Sequence, residues 1–538
     1  MKNKKVLVIV IVLLLVVVIL GASYALWTTT AHQDGNNSAA LSCLDITYES
    51  ISENNIELNE VLPITDEAGL ALEGYTFKIT NNCNSIVRYQ VNLETLNISN
   101  DTKYLNIDYL DATIDNEFIE TLGNYESTTT LLSDNEARDA RIIKEGLLDK
   151  SSNTSTNSVI HTLRVWLDKD TPTSEKYAQW RGKITINATT PTEDIIYDTA
   201  ANYLTNVVKP TTDELVYDGA SYTDPDTGVE IVDNNLRYVG ANPDNYVWFN
   251  NELWRIIGVM NHVKGGENAP SEGETRLKLI RDESLGNFPY YEDCLEENMN
   301  YDAQTDKWTC SSKRYNNNWP NSTANEILND LYWNRRPHAP YNGYMYLKTG
   351  NQTSFTWQDY KTEAVDFRNS GLKKVYQNMM ETATYYLGGY TWDNGGTYDG
   401  VTMNTKQYYT AERTNQGINN ELTWAGNLGL MYPSDYGYAS SGSVSGSSCR
   451  NIVLSTWSQA ANANCRNNNW LFSSAFWQWT MTLRVDYTIN VADVSISGNV
   501  SHDNTHIGFG LRPVAYLKSQ VKIIGGIGSS DNPYRLSL

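Results

Sequence analysis

The chain has 538 residues, 40% of them apolar, and a formal charge of −22. That length exceeds one compact domain and predicts about two to four, and the apolar share supplies enough core to exclude global disorder. The acidic balance excludes nucleic acid and anionic bilayers as electrostatic partners. Lys2, Lys4 and Lys5 precede an unbroken apolar run from Val6 to Leu20. Lysines resist translocation, so the run directs everything after it out of the cell, with the C-terminus outside. It falls between a long signal-peptide core and a short membrane span of roughly 17–25 residues. Ser23-Tyr24-Ala25 offers small residues to a signal peptidase; uncut, Trp27 would anchor the outer interface. Residues 1–25 therefore read as a signal peptide or an N-terminal membrane anchor, the latter meeting the membrane through residues 6–22. The polar stretch 26–41 reads as a stalk.

Six cysteines fall as three sequential pairs: Cys43 with Cys83, Cys294 with Cys310, and Cys449 with Cys465. No pair has the two-residue spacing of a zinc site. In an exported chain an even count reads as disulfides.

From residue 42 to 190 the pattern is alternating. Tyr75, Phe77 and Ile79 share one face, as do Val87, Tyr89, Val91 and Leu93, then Leu163, Val165 and Leu167, then Ile184 and Ile186. Period-two runs punctuated by Asn, Asp, Ser and Gly predict an antiparallel β-sandwich. Asn81-Asn82-Cys83-Asn84 is expected as the turn of a hairpin joining the first two runs, tied by Cys83 to the opening strand at Cys43. Residues 133–149 carry a helical spacing through Ala137, Ile142, Ile143 and Leu147. The leader GASYALWTT, YTFKITNNC followed by VRYQVNLETL, and HTLRVWLDKD with WRGKITINA give this quarter of the chain its likeness. It resembles exported β-sandwich domains of Gram-positive bacteria related to biofilm-matrix fibre subunits and camelysin-like proteins. That resemblance implies processing by a dedicated signal peptidase and self-assembly through the sandwich as an alternative role.

Residues 191–235 read as a linker with one short amphipathic stretch, Ile195 to Val208. Asp224-Pro225-Asp226-Thr227-Gly228 lacks the ligands that complete a calcium loop and reads as a turn.

From 236 to 538 the composition changes, and twelve of the fifteen tryptophans lie there. Asn250-Asn251 between YVWF and LWRII signals a hairpin. Asn321 or Ser322 would cap a helix that buries Ile327, Leu328 and Leu331, and a second helical pattern runs from Leu372 to Thr384. The closing strands include VDYTINV and GLRPVAYLKSQVKII. The residues LRYVGANPDNYVWFNNELWRIIGV, LGLMYPSDYGYA, Trp470-Leu471-Phe472-Ser473-Ser474, Gly510-Leu511-Arg512-Pro513-Val514 and GGIGSSDNPYRL carry a second likeness. This segment resembles a C-type-lectin-like surface domain of Gram-positive bacteria, whose fold is shared with the formylglycine-generating enzyme family. The fold class expected is mainly β with an α+β C-terminal part: an N-terminal β-sandwich followed by a C-type-lectin-like domain. The resemblance implies that Trp470 and Arg512 belong to a core sheet.

No catalytic motif accompanies the fold. Formylglycine-generating enzymes need reduced, accessible cysteines beside a metal, whereas Cys449 and Cys465 read as paired. His502 and His506 are four apart but lie in a glycine-rich segment expected as a loop, and Gly525-Gly526-Ile527-Gly528 reads as a turn. Trp392-Asp393-Asn394 has the residues of a calcium-dependent sugar site in the wrong order. No catalytic residue, metal site or cofactor is assigned. What remains is aromatic and amide surface, the mix that recognition loops favour. Tyr436, Tyr438, Asn467, Asn468, Trp477 and Trp479 are the candidate ligand-binding residues, with surface and core both open for the last two. The expected role is non-catalytic recognition of an extracellular glycan or protein ligand at the cell surface. The structural alternative is a matrix or fibre subunit, and an oxidase of the formylglycine-generating type follows only from shared fold.

Overall fold

The computed structural model describes residues 29–31, 46–51, 56–59, 61–96, 109–121, 137–169, 171–172, 179–189, 199–266, 269–291, 293–294, 299–302, 304, 307–310, 313–336, 366–368, 370–416 and 422–538. The leader, most of the stalk and Cys43 lie outside these residues. Among them no helix is long and apolar enough to cross a membrane. The chain is mainly β with several sheets and divides into two compact units, Met1–Glu193 and Asp194–Leu538.

The first unit holds two five-stranded sheets. One runs in the order Ile46–Ser50, Tyr75–Asn81, Ser158–Leu167, Leu110–Ile114, Glu117–Thr121. The other runs Thr29–Ala31, Gln179–Thr189, Val87–Leu96, Ala137–Leu148, with Glu57–Asn59 also paired to Gln179–Thr189. Thr29–Ala31, within the expected stalk, is a strand parallel to Ile186–Ala188. The predicted alternation is present: Tyr75–Asn81 is buried at every second residue. Phe77, Ile79 and Leu163 from one sheet join Tyr89, Val91, Leu93, Ile184 and Ile186 from the other in a single apolar cluster. His161 crosses it, with Nδ1 2.6 Å from Asp115 Oδ2 and Nε2 2.9 Å from the Tyr89 hydroxyl.

Two expectations are corrected here. Tyr75–Asn81 and Val87–Leu96 are not a hairpin; they pair with different sheets, and the chain turns a corner between them. Both runs have an apolar face, so alternation alone cannot distinguish a partner beside the strand from one facing it. Asn81 builds the corner: its carboxamide donates to Ser85 O and Asp149 O at 2.7 and 2.8 Å and accepts from the Cys83 backbone N–H at 2.9 Å. The segment expected to be helical is the strand Ala137–Leu148, laddered along Val87–Leu96. A register shift leaves Ile143 opposite no single residue and turns it into the core. The long-range ladder and the β-branched pair Ile142-Ile143 outweigh local helical spacing.

The second unit contains a seven-stranded antiparallel sheet: Leu215–Tyr217, Leu236–Tyr238, Glu252–Val263, Glu274–Arg281, Val514–Tyr516 and Leu428–Gly429, with Tyr246–Phe249 also paired to Glu252–Val263. Asn250 and Asn251 both take positive φ (58°), as a two-residue hairpin turn requires. A five-stranded sheet follows: Asn287–Pro289, Gly508–Gly510, Gln478–Leu483, Asn490–Val494 and Val500–Asn504. Ser322 caps Thr323–Glu326, and Ile327, Leu328 and Leu331 are buried as expected. The second helical pattern yields only Lys374–Gln377 before the strand Ala383–Tyr386, which pairs with Thr423–Gly426.

The stretch expected as a linker is part of this unit. Ala200, Leu204 and Leu215 are buried in its core, and Leu215–Tyr217 is an edge strand of its large sheet. Ser221–Thr223 and Glu230–Val232 form a hairpin. At its tip Asp224 accepts from the backbone N–H groups of Asp226 and Thr227 at 3.0 and 2.9 Å, the turn read from its composition.

Candidate functional site

The charges that most resemble chemistry lie inside the second unit. Arg237 sits on a fully buried strand. It is opposite Gly258, where a Cβ would come within 2.3 Å of Leu236 O. Its guanidinium donates to Asp218 Oδ2 and Asp435 Oδ1, both at 2.7 Å. Lys278 reaches the other Asp435 oxygen at 2.6 Å. Burial opposes ionisation of Asp435, yet Lys278 and Arg237 hold its carboxyl down to about 2. Burial pushes Lys278 down to about 8 against the pull of Asp435. Asp435 also caps the short helix Pro433–Tyr438 through the Tyr432 N–H at 2.9 Å.

Next to this cluster, on the helix Thr405–Thr414, Arg413 lies 3.4 Å from the Tyr409 ring centroid and 4.7 Å from that of Tyr386. Burial pushes Glu412 up to about 7 despite Arg413 and the bonds from Ser434. Every one of these groups is occupied by a neighbour from its own chain. The arrangement braces the fold and leaves no nucleophile or base facing solvent.

One set of solvent-facing groups lies where two loops meet. The Thr391–Gly400 loop closes on itself through Gly400 N to Thr391 O at 2.8 Å. Inside it, Asp399, 3% exposed, accepts from the backbone N–H groups of Asp393, Asn394, Gly395 and Val401 at 2.8–3.0 Å. Those donors keep its carboxyl below the usual range although burial opposes it. The second loop, 484–490, is held by the Asn317 carboxamide, which donates to Arg484 O at 2.8 Å and Asn490 O at 3.1 Å. Tyr390 stitches the two together, donating to Leu483 O at 3.1 Å and accepting from Val485 N at 2.8 Å.

This frame presents Trp392, Asn394, Arg484, Asp486, Tyr487 and His502. Trp392 packs edge-on to His502 at 4.5 Å. Arg484 donates to both Asp486 oxygens at 2.8 and 3.1 Å and lies 5.4 Å from the Tyr487 ring centroid. Tyr487 is 49% exposed; Asn394 and Asp486 are exposed and Trp392 is half-buried. His502 Nε2 lies 3.0 Å from Arg484. An arginine can only donate, so Nε2 accepts and the imidazole proton sits on Nδ1. Burial, then the neighbouring guanidinium, push His502 down to about 4, which keeps the ring neutral at neutral pH. The rim therefore offers two aromatic rings and a forked ion pair on loops whose backbones are hydrogen-bonded in place.

The residues proposed from sequence do not assemble into one face. Tyr436 is buried, its hydroxyl donating to Gly498 O at 2.8 Å and its ring against Trp457 at 5.3 Å. Tyr438 is buried between Tyr409 and Arg237. Trp479 is buried, its Nε1–H donating to Phe288 O at 2.8 Å with Phe509 4.5 Å away. Each of Tyr436 and Trp479 finds a carbonyl acceptor, so burying it wastes no hydrogen bond. Buried as they are, these three present no ring to solvent. Asn467 is exposed and Asn468 half-buried, and Asn468 is bonded to Asn464 at 2.7 Å. Trp477 is half-buried and stacks on Phe509 at 5.2 Å, which uses one ring face.

Trp470 lies in the core as expected, donating to Tyr238 O at 3.0 Å. Arg512 is buried as expected, with Asp282 as a carboxylate partner at 4.0 Å and the Arg281 carbonyl and Gln478 accepting from it at 2.9 and 3.0 Å. Cys449 and Cys465 form the expected disulfide. Cys83 is disulfide-bonded, its expected partner Cys43 being outside the described residues, as are the side chains of Cys294 and Cys310. His502 stands on the strand Val500–Asn504 rather than in a loop, with His506 just beyond it. Gly526 and Gly528 have positive φ (81° and 84°) in the turn joining Lys522–Gly525 to Arg535–Ser537.

Trp392 and Asn394 were visible as a motif, and His502 as one of two histidines four apart. Asn317 carried no local signal because it bonds backbone more than 160 residues away, and Asp399 carried none because an aspartate among Asn, Gly and Thr reads as any turn residue although it binds the backbone of its own loop. No known protein family matches the chain, and no curated protein matches it.

Proposed function

We propose that this is an exported surface protein that recognises an extracellular glycan or protein ligand without catalysis. In this reading the first unit is a β-sandwich of the matrix-fibre and camelysin type. The second is a C-type-lectin-like head, whose contact surface is the Trp392–Tyr487 rim. The lysine-flanked leader supports export, and the buried Cys449–Cys465 disulfide supports an oxidising compartment. A working cysteine oxidase would need thiols that this pair does not offer.

One observation carries the proposal: an exposed tyrosine, a half-buried tryptophan and a forked ion pair stand on loops whose backbones are held by the buried side chains of Asp399 and Asn317. Preorganised aromatic contacts gain area at little ordering cost. The secreted full-length chain applied to glycan and protein arrays is the test. Retention of a specific ligand by the wild type and its loss by Trp392→Ala/Tyr487→Ala is expected. Turnover of a small molecule by the chain, or binding untouched by the double variant, would refute it.

A further inference from the structure

The dipeptide Asn-Gly occurs twice in the sequence, at Asn342-Gly343 and Asn394-Gly395; the first lies outside the described residues. The second belongs to the Thr391–Gly400 loop, where its carboxamide is turned onto the backbone that follows it. The Gly396 N–H donates to Asn394 Oδ1 at 2.9 Å, and the Thr391 hydroxyl lies 2.8 Å from the same atom. A backbone N–H can only donate, so the atom it meets is the carboxamide oxygen. That bond closes a ring of atoms from Asn394 Cγ to Gly396 N, and the Gly395 nitrogen is one of its members. The Gly395 N–H donates to Asp399 Oδ2 at 2.9 Å. Asp399, kept below the usual carboxyl range by its N–H donors, is ionised at neutral pH and can take a proton. Gly395 has a φ of 65°, and nothing lies within 4 Å of the place a Cβ would occupy. No side chain therefore screens its nitrogen, and Asn394 is itself exposed to water.

We infer that Asn394 is a self-modification site: the folded loop closes its side chain onto the Gly395 nitrogen as a succinimide, which water opens to aspartate and isoaspartate. The Gly395 nitrogen passes its proton to Asp399 and attacks Asn394 Cγ. The carbonyl electron pair moves onto Oδ1, where the Gly396 N–H meets the developing charge. The Thr391 hydroxyl, which also reaches Tyr398 O at 3.1 Å, turns its proton to the same oxygen. The Cγ–Nδ2 bond then breaks, and the leaving nitrogen takes the proton from Asp399 to depart as ammonia. Water opens the ring: cleaving its Cγ–N bond leaves aspartate, and cleaving its backbone C–N bond leaves isoaspartate. One water enters, one ammonia leaves, and nothing is oxidised or reduced. The reacting atoms belong to adjacent residues, so closure needs no encounter. The base already sits within hydrogen-bond reach of the proton it takes. Either product brings a new carboxylate beside Asp399, and isoaspartate lengthens the main chain between the two N–H groups that Asp399 Oδ2 accepts. The loop then loses its frame. If the rim is the contact surface, a reading on which this last step alone rests, conversion ends recognition as the molecule ages.

Peptide mapping of the full-length chain, aged at neutral pH while folded or while unfolded in guanidinium chloride, tests this. The tryptic segment Val375–Lys406 should gain about 1 Da, with fragmentation placing the gain at Asn394 and isoaspartate methyltransferase labelling part of it. Asn378 and Asn404, followed by Met379 and Thr405 in the same segment, should stay unchanged. Conversion should run at least about threefold faster in the folded chain than in the unfolded one. Thr391→Val should slow the folded reaction while leaving the circular dichroism spectrum that of the wild type. An Asn394 that persists in the folded chain, or converts no faster there than in the unfolded chain, overturns the proposal whether or not the variant folds. An unchanged rate in a folded Thr391→Val overturns the role of the hydroxyl.

Discussion

In the second unit Arg237 and Lys278 are buried beside Asp218 and Asp435, and each cation meets a carboxylate within 2.7 Å. In the first unit the covered face of the Val87–Leu96 strand buries Asn92, whose amide meets no partner. Both clusters arise the same way: a strand with one face in the apolar core must place its alternate residues somewhere, and a covered second face buries them too. The two differ in how the desolvation cost is met. The ion network meets it with electrostatics, and so depends on every member being present and charged. The Asn92 carboxamide has no such compensation.

The contrast is broken most severely at Asp435. Replacing it with Ala leaves Arg237 and Lys278 desolvated with the central carboxylate gone and removes the cap on Tyr432. We expect a loss of about 3–5 kcal/mol, read by denaturant unfolding of the full chain; a loss under about 1 kcal/mol would show that the network is not bracing this unit. Cys449→Ser/Cys465→Ser should cost about 3 kcal/mol in denaturant unfolding, since it releases a 16-residue separation.

Glu412 gives the network a pH signature. Its pKa rises on folding from 4.5 to about 7, so the folded state binds more protons than the unfolded one within that window. The stability Glu412 contributes is complete below 4.5 and is lost as pH rises through 7. His502, lowered on folding to about 4, acts in the opposite direction between about 4 and 6.5 and masks the slope in the wild type. The informative quantity is therefore the difference between Glu412→Gln and wild type. It should move in the variant's favour by up to about 3 kcal/mol between pH 4.5 and 7. A difference independent of pH would remove Glu412 from the account.

Smaller effects separate framework from rim. Asn404 closes a capping box on the helix Thr405–Thr414, and Asn404→Ala should cost about 1 kcal/mol in thermal unfolding. The Arg484–Asp486 pair is partly exposed, so Asp486→Asn should change stability by less than about 1 kcal/mol while weakening ligand retention.

How much of this was legible follows from where each signal resides. Alternation in YTFKIT, VRYQVNL and GKITIN marks strands because one face of each is apolar. It does not say which strand pairs with which, so the Asn81–Asn84 corner passed for a hairpin turn. Residues 137–148 have a local spacing that fits a helix, and only the ladder to Val87–Leu96 reverses it. Asn250-Asn251 was decisive because the turn geometry resides in the two residues themselves. Tyr436 and Tyr438 were misplaced, and Trp479 was left open, for a different reason: aromatic residues with polar tips serve cores and surfaces alike, and a distant carbonyl such as Gly498 O or Phe288 O decides which.

The central claim is that the rim recognises while the buried aromatics and charges only hold it in place. Binding isotherms of the wild type, Trp392→Ala/Tyr487→Ala and Trp477→Ala, against the ligand that the arrays select, test it most directly. The account predicts at least a tenfold loss of affinity, about 1.4 kcal/mol, for the rim variant with an unchanged unfolding midpoint, and little change for Trp477→Ala. Full affinity in the rim variant, with the loss falling on Trp477→Ala instead, would contradict it.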